Sequence, residues 1–484
     1  VADIEKRIVV EGVEYAQLAQ FPKILRAVTA SFQPSRLVLG LLMVAALMTV
    51  GRVWDGVTAP AVPPPGVPAD EWTPQEAQAV LRAALGRYAV TVEKPEGELD
   101  AREVVDDIHA AYRDQRRALV AEIAEAEEGD ERLRAADEAY VETIDQIDRI
   151  RPRGIFEATV SHVTAEFNGL VKGLVTLRLN DFFAGVRDLF VGTPRLMWGH
   201  DKVFAVVYGL LFVVLVAVGG GALARVAAVE TAQGEKLRLQ EALDFAFRAW
   251  RRLVFCLLLP LLIAAVLIVL LLVGGWFLML PWVDVLGGLL YGLALLIGFG
   301  VVFLMVGYAL GFSLLVPAVA CENCDAADAQ QRAYAYVLSR PLHLLGYGVV
   351  TFIGLALGFV LASLFAVAIL NVTGALVDSV TANPAVSGAH GFSLFHLAPQ
   401  WSASVPLQTH SEWSSWLVMF WQTVVVCLVA GYVFAYYFGA STIIYLLMRQ
   451  ACDGQEMNEV WQPGVVPGTT AAEPSEAETE GEVS

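Results

Sequence analysis

Long unbroken apolar runs alternate with charged stretches along this chain, and the runs set its architecture. Six of them cover about residues 36–54, 202–224, 252–276, 286–317, 342–372 and 413–448. Crossing roughly 30 Å of hydrocarbon takes about 20 mostly apolar helical residues, so each run is long enough to span, or nearly so. Within hydrocarbon every backbone polar group needs an internal partner, and runs this continuous are helices rather than barrel strands. The expected fold is all-α, a polytopic helical membrane protein with about six transmembrane helices. The last three runs exceed the minimum; they can tilt, continue past the bilayer or break at glycines.

The region between the first two runs, 55–201, has a different pattern. It opens on a Pro-rich stretch, Pro60 to Pro68, that reads as a stiff extended spacer. Asp70 or Thr73 then offers an N-cap, with Pro74 at the first helical position, and a helix runs to about Tyr88. A second helix is expected over 99–127, with Val105, Ile108, Tyr112, Leu119 and Ile123 on one face. A third follows Gly129 and aligns Leu133, Tyr140, Ile144 and Ile147. Their other faces are densely charged, which predicts an antiparallel helical hairpin. Its plainest role is a solvated stalk. The stretch 154–197 is aromatic and apolar, with Phe156, Phe167, Phe182, Phe183 and Phe190, but charges interrupt it every few residues. It cannot span, and it predicts amphipathic helices packed under the hairpin or lying on the outer leaflet.

Orientation follows from the short loops. Arg225, Lys236, Arg238, Arg248, Arg251 and Arg252 lie between the second and third runs, and Arg332 and Arg340 between the fourth and fifth. The N-terminal segment 1–35, with its interfacial helix, holds Lys6, Arg7, Lys23 and Arg26. Arg36 opens the first run and Arg449 closes the last. The opposite connections, 277–285 and 373–412, contain no Lys or Arg. Both termini are therefore expected in the cytoplasm, with 55–201 forming an extracytoplasmic helical domain and 202–450 the transmembrane bundle. Trp54, Trp198, Trp276, Trp282, Trp413 and Trp416, six of the 11 tryptophans, then mark the outer interface. No cleavable signal peptide is expected; the run from Leu37 reads as a retained signal-anchor.

Three short segments repeat a design at the cytoplasmic entrances. Arg26 to Arg36 leads into the first span; Ala242, Ala246, Phe247, Trp250, Arg251 and Arg252 lead into the third. Ala329, Ala333, Tyr334, Val337, Arg340 and Pro341 lead into the fifth. Each predicts an interfacial helix with its aromatic face at headgroup level and its arginines on phosphates. The match between 242–253 and 329–342 points to an internal duplication of one interfacial helix plus two spans.

The runs Asp325 to His343 (DAADAQQRAYAYVLSRPLH) and Ser441 to Trp461 (STIIYLLMRQACDGQEMNEVW) resemble uncharacterised polytopic membrane proteins of planctomycete-type bacteria. More loosely, the repeated layout is similar to the membrane domains associated with glycerophosphodiester phosphodiesterases. The closer resemblance covers about 220–461 and implies a multi-pass protein of a bacterial inner (cytoplasmic) membrane. It is a resemblance to a membrane module, not to a phosphodiesterase active site, and it brings no catalytic residue.

Composition narrows the function classes. The mean hydropathy is +0.57, and 17% of residues are charged against roughly 25% in soluble domains. A net charge of −18 gives no basic surface for nucleic acid. Much of the acidity lies in 96–150 and in the tail 451–484, expected to be cytoplasmic and disordered, where Glu473, Glu476, Glu478, Glu480 and Glu482 cluster. Five cysteines make no disulfide framework; Cys256 and Cys427 read as small apolar fillers inside spans.

Candidate chemistry is sparse. Cys321 and Cys324 form a lone CxxC, and a zinc site needs further ligands, so the plainer reading is two reduced thiols. His390, His396 and His410 share a loop with Asp378 and Glu412 and are conceivable metal ligands, but their spacing matches no ligand pattern and loop packing is the commoner explanation. No nucleophile elbow, zinc-protease helix or phosphate-binding loop occurs. The span centres hold essentially no ionisable residue, which disfavours a proton pump. Ser313, Thr351, Ser363, Gln422 and Thr423 fit helix-to-helix hydrogen bonds. Gly307 with Gly311, Gly354 with Gly358, and Gly219 to Gly221 fit close helix packing, and Tyr432, Tyr436, Tyr437 and Tyr445 form an aromatic stripe. No catalytic, cofactor or metal residue is assigned. The expected function is a non-catalytic scaffold or accessory subunit whose partners are the lipid bilayer and other membrane proteins. The alternative is a passive transporter, channel or lipid-handling protein.

Overall fold

A computed structural model of the chain describes residues 21–58, 60, 62–63, 74–90, 99, 101–123, 129–279, 283–381, 392–394, 397 and 412–461. These residues are almost entirely helical, with one isolated β-bridge between Val62 and Arg153. Among the described residues six helices are long and apolar enough to cross a membrane: α2 (Pro34–Val57), α9 (Lys202–Gln233), α11 (Trp250–Phe277), α12 (Val283–Glu322), α14 (Pro341–Thr381) and α15 (Glu412–Asp453). The chain is a multi-pass helical membrane protein, and every expected run falls on one of these helices. At about 1.5 Å per residue α14 and α15 are each roughly 60 Å long, so they tilt or continue past the bilayer; neither breaks at its glycines.

Short helices precede three of the spans, as the repeated segments require: α1 (Phe21–Ala30) before α2, α10 (Leu239–Arg248) before α11, and α13 (Ala326–Ser339) before α14. The order of one short helix and two long ones therefore occurs twice in succession, from α10 and again from α13. Small residues lie on the buried face of each short helix: Ala27 beside Ile24 and Val28, then Ala242 and Ala246, then Ala329 and Ala333 beside Tyr336 and Val337. Phe247 and Trp250 stay exposed, where interfacial aromatics belong.

The chain forms two compact units, one from Val1–Gly40, Val213–Leu355 and Val433–Ser484, the other from Leu41–Phe212 and Ala356–Tyr432. In the first unit, glycines make notches for larger side chains. A Cβ at Gly220 would collide with the Phe438 ring, one at Gly221 with Leu253, and one at Gly354 with the Tyr436 hydroxyl. Gly307 and Gly311 face Tyr334 and Val337 of α13, so this glycine pair seats a short amphipathic helix rather than another span. Tyr436 also donates to the Thr351 carbonyl at 3.0 Å and Tyr308 to the Leu257 carbonyl at 3.1 Å. The Thr351 hydroxyl bonds back to Tyr347 on its own helix instead of crossing to a neighbour.

In the second unit, α3 (Pro74–Arg87), α4 (Ala101–Ile123) and α5 (Gly129–Ile150) pack around Leu81, Val104, Ile108, Tyr112, Tyr140 and Ile144. The expected hairpin of α4 and α5 thus acquires a third helix. Tyr112 and Tyr140 stack at 4.1 Å between centroids, with Tyr88 edge-on to both at 6.4 Å. This bundle joins α6 (Ile155–Val175) through Arg151, which pairs with Glu157 and Asp148, and Arg153, which reaches Asp148 at 3.2 Å. Burial alone would raise the Glu157 carboxyl, but the Arg151 contact brings it below its usual range. The start of α6 packs on two spans, Phe156 against Gly51 and 5.5 Å from the Tyr208 ring. Farther along, Phe167 meets Phe359 of α14 edge-on at 5.0 Å. Also in this unit, Gly358 of α14 receives the Tyr432 ring of α15.

Candidate functional site: a buried ionic cluster

Within the first unit, charge gathers where α12 and α15 end. Glu322 is the last residue of α12, and Asn323 stops that helix in the left-handed conformation at φ 52°, a cap that Asn tolerates. The Glu322 carboxylate accepts the Tyr445 hydroxyl and pairs with Arg332 at 2.5 Å and Arg449 at 3.7 Å. Four residues separate Tyr445 from Arg449, so both lie on one face of α15. One turn farther, Asp453 accepts the Tyr336 hydroxyl of α13; burial and then Asp453 push that phenol above its usual range.

The residues after α15 fold back onto this cluster. Arg449 donates to the carbonyls of Glu456 at 3.0 Å and Glu459 at 2.5 Å. Arg225 of α9 donates to the carbonyls of Ala320 at 3.0 Å and Trp461 at 2.7 Å. Its guanidinium also lies over the rings of Phe245 and Trp461, at 5.1 and 5.4 Å from their centroids. The Trp461 amide donates to the Cys321 carbonyl at 2.8 Å. Residues 451–461, expected in a disordered tail, are therefore held against the helices, because two buried arginines need the acceptors this segment supplies. Residues 462–484, including the glutamate cluster, lie outside the described residues.

A second ion pair lies at α9. Arg36 contacts Glu230 at 2.5 Å, and Gln33 donates to the other oxygen of the same carboxylate at 2.6 Å. The expectation that Arg36 faces lipid phosphate is corrected here. Its side chain is 4% exposed, and a guanidinium that deep requires a carboxylate in the protein. Arg252, with its side chain 42% exposed, donates to the carbonyl and side chain of Asn323, both at 2.8 Å.

The arrangement is suited to holding charge and fixing chain segments. Among the described residues no group of three His, Cys, Asp or Glu could hold a metal ion. Cys321 is buried beside the cluster and Cys324 is half-buried; both are free thiols, and burial pushes the Cys324 thiol up to about 12, far from a reactive thiolate. Cys256 and Cys427 are buried and free. His390, His396 and His410 lie outside the described residues, as do the side-chain environments of Asp378 and Glu412. Ser313 lines a small, mostly apolar pocket with Val216, Leu257, Phe312, Tyr437 and Phe438. Ser363, Gln422 and Thr423 are buried. Sequence reading noted Arg225 and Arg449 as topology markers and Tyr445 as part of an aromatic stripe, and passed over Glu322 and Asp453. A carboxylate closing an apolar run was the available signal. No protein-family profile, curated protein or solved structure matches this chain.

Proposed function

We propose that this chain is a non-catalytic scaffold or accessory subunit of a larger assembly in a bacterial inner membrane. Both termini lie in the cytoplasm and residues 55–201 lie outside. The observation that carries this reading is the internal pairing of the buried charges. Glu322 is engaged by Arg332, Arg449 and Tyr445, and Glu230 by Arg36 and Gln33. Ion-coupled transport uses buried ionisable groups that change partner during a cycle, whereas these pairs tie helix ends and the closing segment together. The α3–α5 bundle supports the same reading. It buries its own aromatic core and leaves Glu103, Asp114, Arg117, Glu138 and Glu142 on the surface as polar contact groups. The orientation is supported by Lys236, Arg238, Arg248 and Arg251 beside α10 and the lack of Lys and Arg in 277–285 and 373–412.

The test is the composition of the native particle, extracted in mild detergent and resolved by native electrophoresis and mass spectrometry. Near-stoichiometric co-migration with other membrane proteins is expected. A lone monomer or homo-oligomer would overturn the accessory role and direct attention to passive transport or lipid handling.

A further inference from the structure

In the second unit, α6 turns at Thr176–Arg178 and returns as α7 (Leu179–Arg187), a π-helical turn (Asp188–Gly192) and α8 (Thr193–His200). The arms run antiparallel: Gly173 lies against Phe182, Gly185 against Leu170 and Glu166, and Gly192 against His162. Three glycines thus bring the arms together, and the return arm buries Gly185 and Met197. Its opposite face is bare and apolar. Leu179, Phe183, Phe190, Val191 and Trp198 are 54–71% exposed, and large apolar side chains exposed together mark an interaction surface.

Connectivity places this patch beside the ends of two spans. Phe156, at the start of α6, packs on Gly51 and Tyr208, each roughly 9 Å inside the near end of its span at about 1.5 Å per residue. At the other end, α8 passes through Asp201 directly into the span α9, and the Trp54 indole of α2 donates to the Asp201 carboxylate at 3.3 Å. The exposed stripe then continues along α9 as Val203, Val206 and Leu210, also exposed. Lys172, Arg178 and Arg195 are exposed around the stripe, while Arg187 is paired with Asp188 at 2.7 Å.

We infer that the α6–α8 hairpin lies in the plane of the membrane, its apolar stripe buried in the leaflet where α2 and α9 end and its exposed cations on phospholipid phosphates. Interfacial helices bury such a face about 5–10 Å into the headgroup and acyl boundary. The inference rests on the six-span fold and not on the scaffold role.

The full chain, reconstituted in phosphatidylcholine–phosphatidylglycerol vesicles with an acyl-chain diazirine phospholipid, tests this directly. After irradiation, peptide mapping should find label at Phe183, Phe190 and Trp198 in yields within a few fold of Val206 and Leu210. Arg117 and Glu138, exposed on α4 and α5, should stay at background. Background labelling of the stripe together with strong labelling of Val206 and Leu210 would overturn the inference, whether water or protein covers it instead.

Discussion

The carboxylate of Asp55 occupies the space in which a side chain on Gly154 would stand. From there it accepts the backbone N–H groups of Phe156 at 2.9 Å and Glu157 at 2.8 Å, so the last turns of α2 cap a helix that begins about a hundred residues later. Gly154 sits at the N-cap position with extended backbone and has no side chain with which to cap. The cap is therefore tertiary, and it locks the start of α6 to a span.

Removing either partner should loosen that lock. Asp55→Ala leaves two amides without their acceptor and is expected to cost about 1–2 kcal/mol, while Asp55→Asn, keeping one acceptor oxygen, costs less. Gly154→Ala should be as damaging as Asp55→Ala, because the new Cβ displaces the carboxylate. Thermal unfolding in detergent, with trypsin cleavage at Arg153 as a local probe, measures all three. A Gly154→Ala protein that melts and resists trypsin like wild type would refute the cap.

Glu322 and Arg449 should behave as one unit. The Arg449 side chain is 3% exposed, so Glu322→Ala strands a buried cation, a change that typically costs about 3–5 kcal/mol. Glu322→Ala with Arg449→Met removes both charges and should be less destabilised than the sum of the single changes. A double-mutant cycle on denaturation midpoints reads the coupling. Additive losses would show that the pair contributes nothing jointly.

The closing segment should depend on Arg225. Two charge-assisted hydrogen bonds and two ring contacts fix Trp461 and α12 to this guanidinium. Arg225→Met is expected to accelerate glutamyl-endopeptidase cleavage at Glu456 and Glu459 by roughly 10- to 100-fold, the opening expected from losing about 1.5–3 kcal/mol. Arg225→Lys should fall between, since an ammonium cannot reproduce the planar fork. Equal cleavage rates in all three proteins would mean that Arg225 does not hold the segment.

These partners explain which parts of the molecule could be read from sequence. Apolar runs of about 20 residues have few alternatives to spanning helices, so all six were legible, as were the small faces of α10 and α13. Pairings such as Asp55 with Phe156, or Glu322 with Arg449, join residues remote along the chain and carry no local periodicity. The notch at Gly220 was visible as a glycine, but its occupant, Phe438, is chosen by tertiary packing. Arg36 was misread for the same reason: an arginine at a membrane entrance has the same sequence pattern whether it meets phosphate or a carboxylate of another helix.

The α3–α5 bundle should lose stability in mild acid through His109. Its Nδ1 lies 3.1 Å from the Tyr140 hydroxyl, and burial, with Arg113 nearby, lowers the imidazole from 6.5 to about 4. The folded state thus stays neutral over a range in which the unfolded chain takes up a proton. The histidine's contribution is fully present above pH 6.5, declines as pH falls toward 4, and is lost below the folded value. Hydrogen-exchange protection of α4 and α5, corrected for intrinsic exchange, should therefore fall between pH 7 and pH 4.5 in wild type. His109→Phe removes the titrating group while keeping an aromatic ring in the core. Its protection should show a shallower pH dependence in that window, whatever its absolute level. A slope equal to wild type would assign the acid sensitivity to groups other than His109.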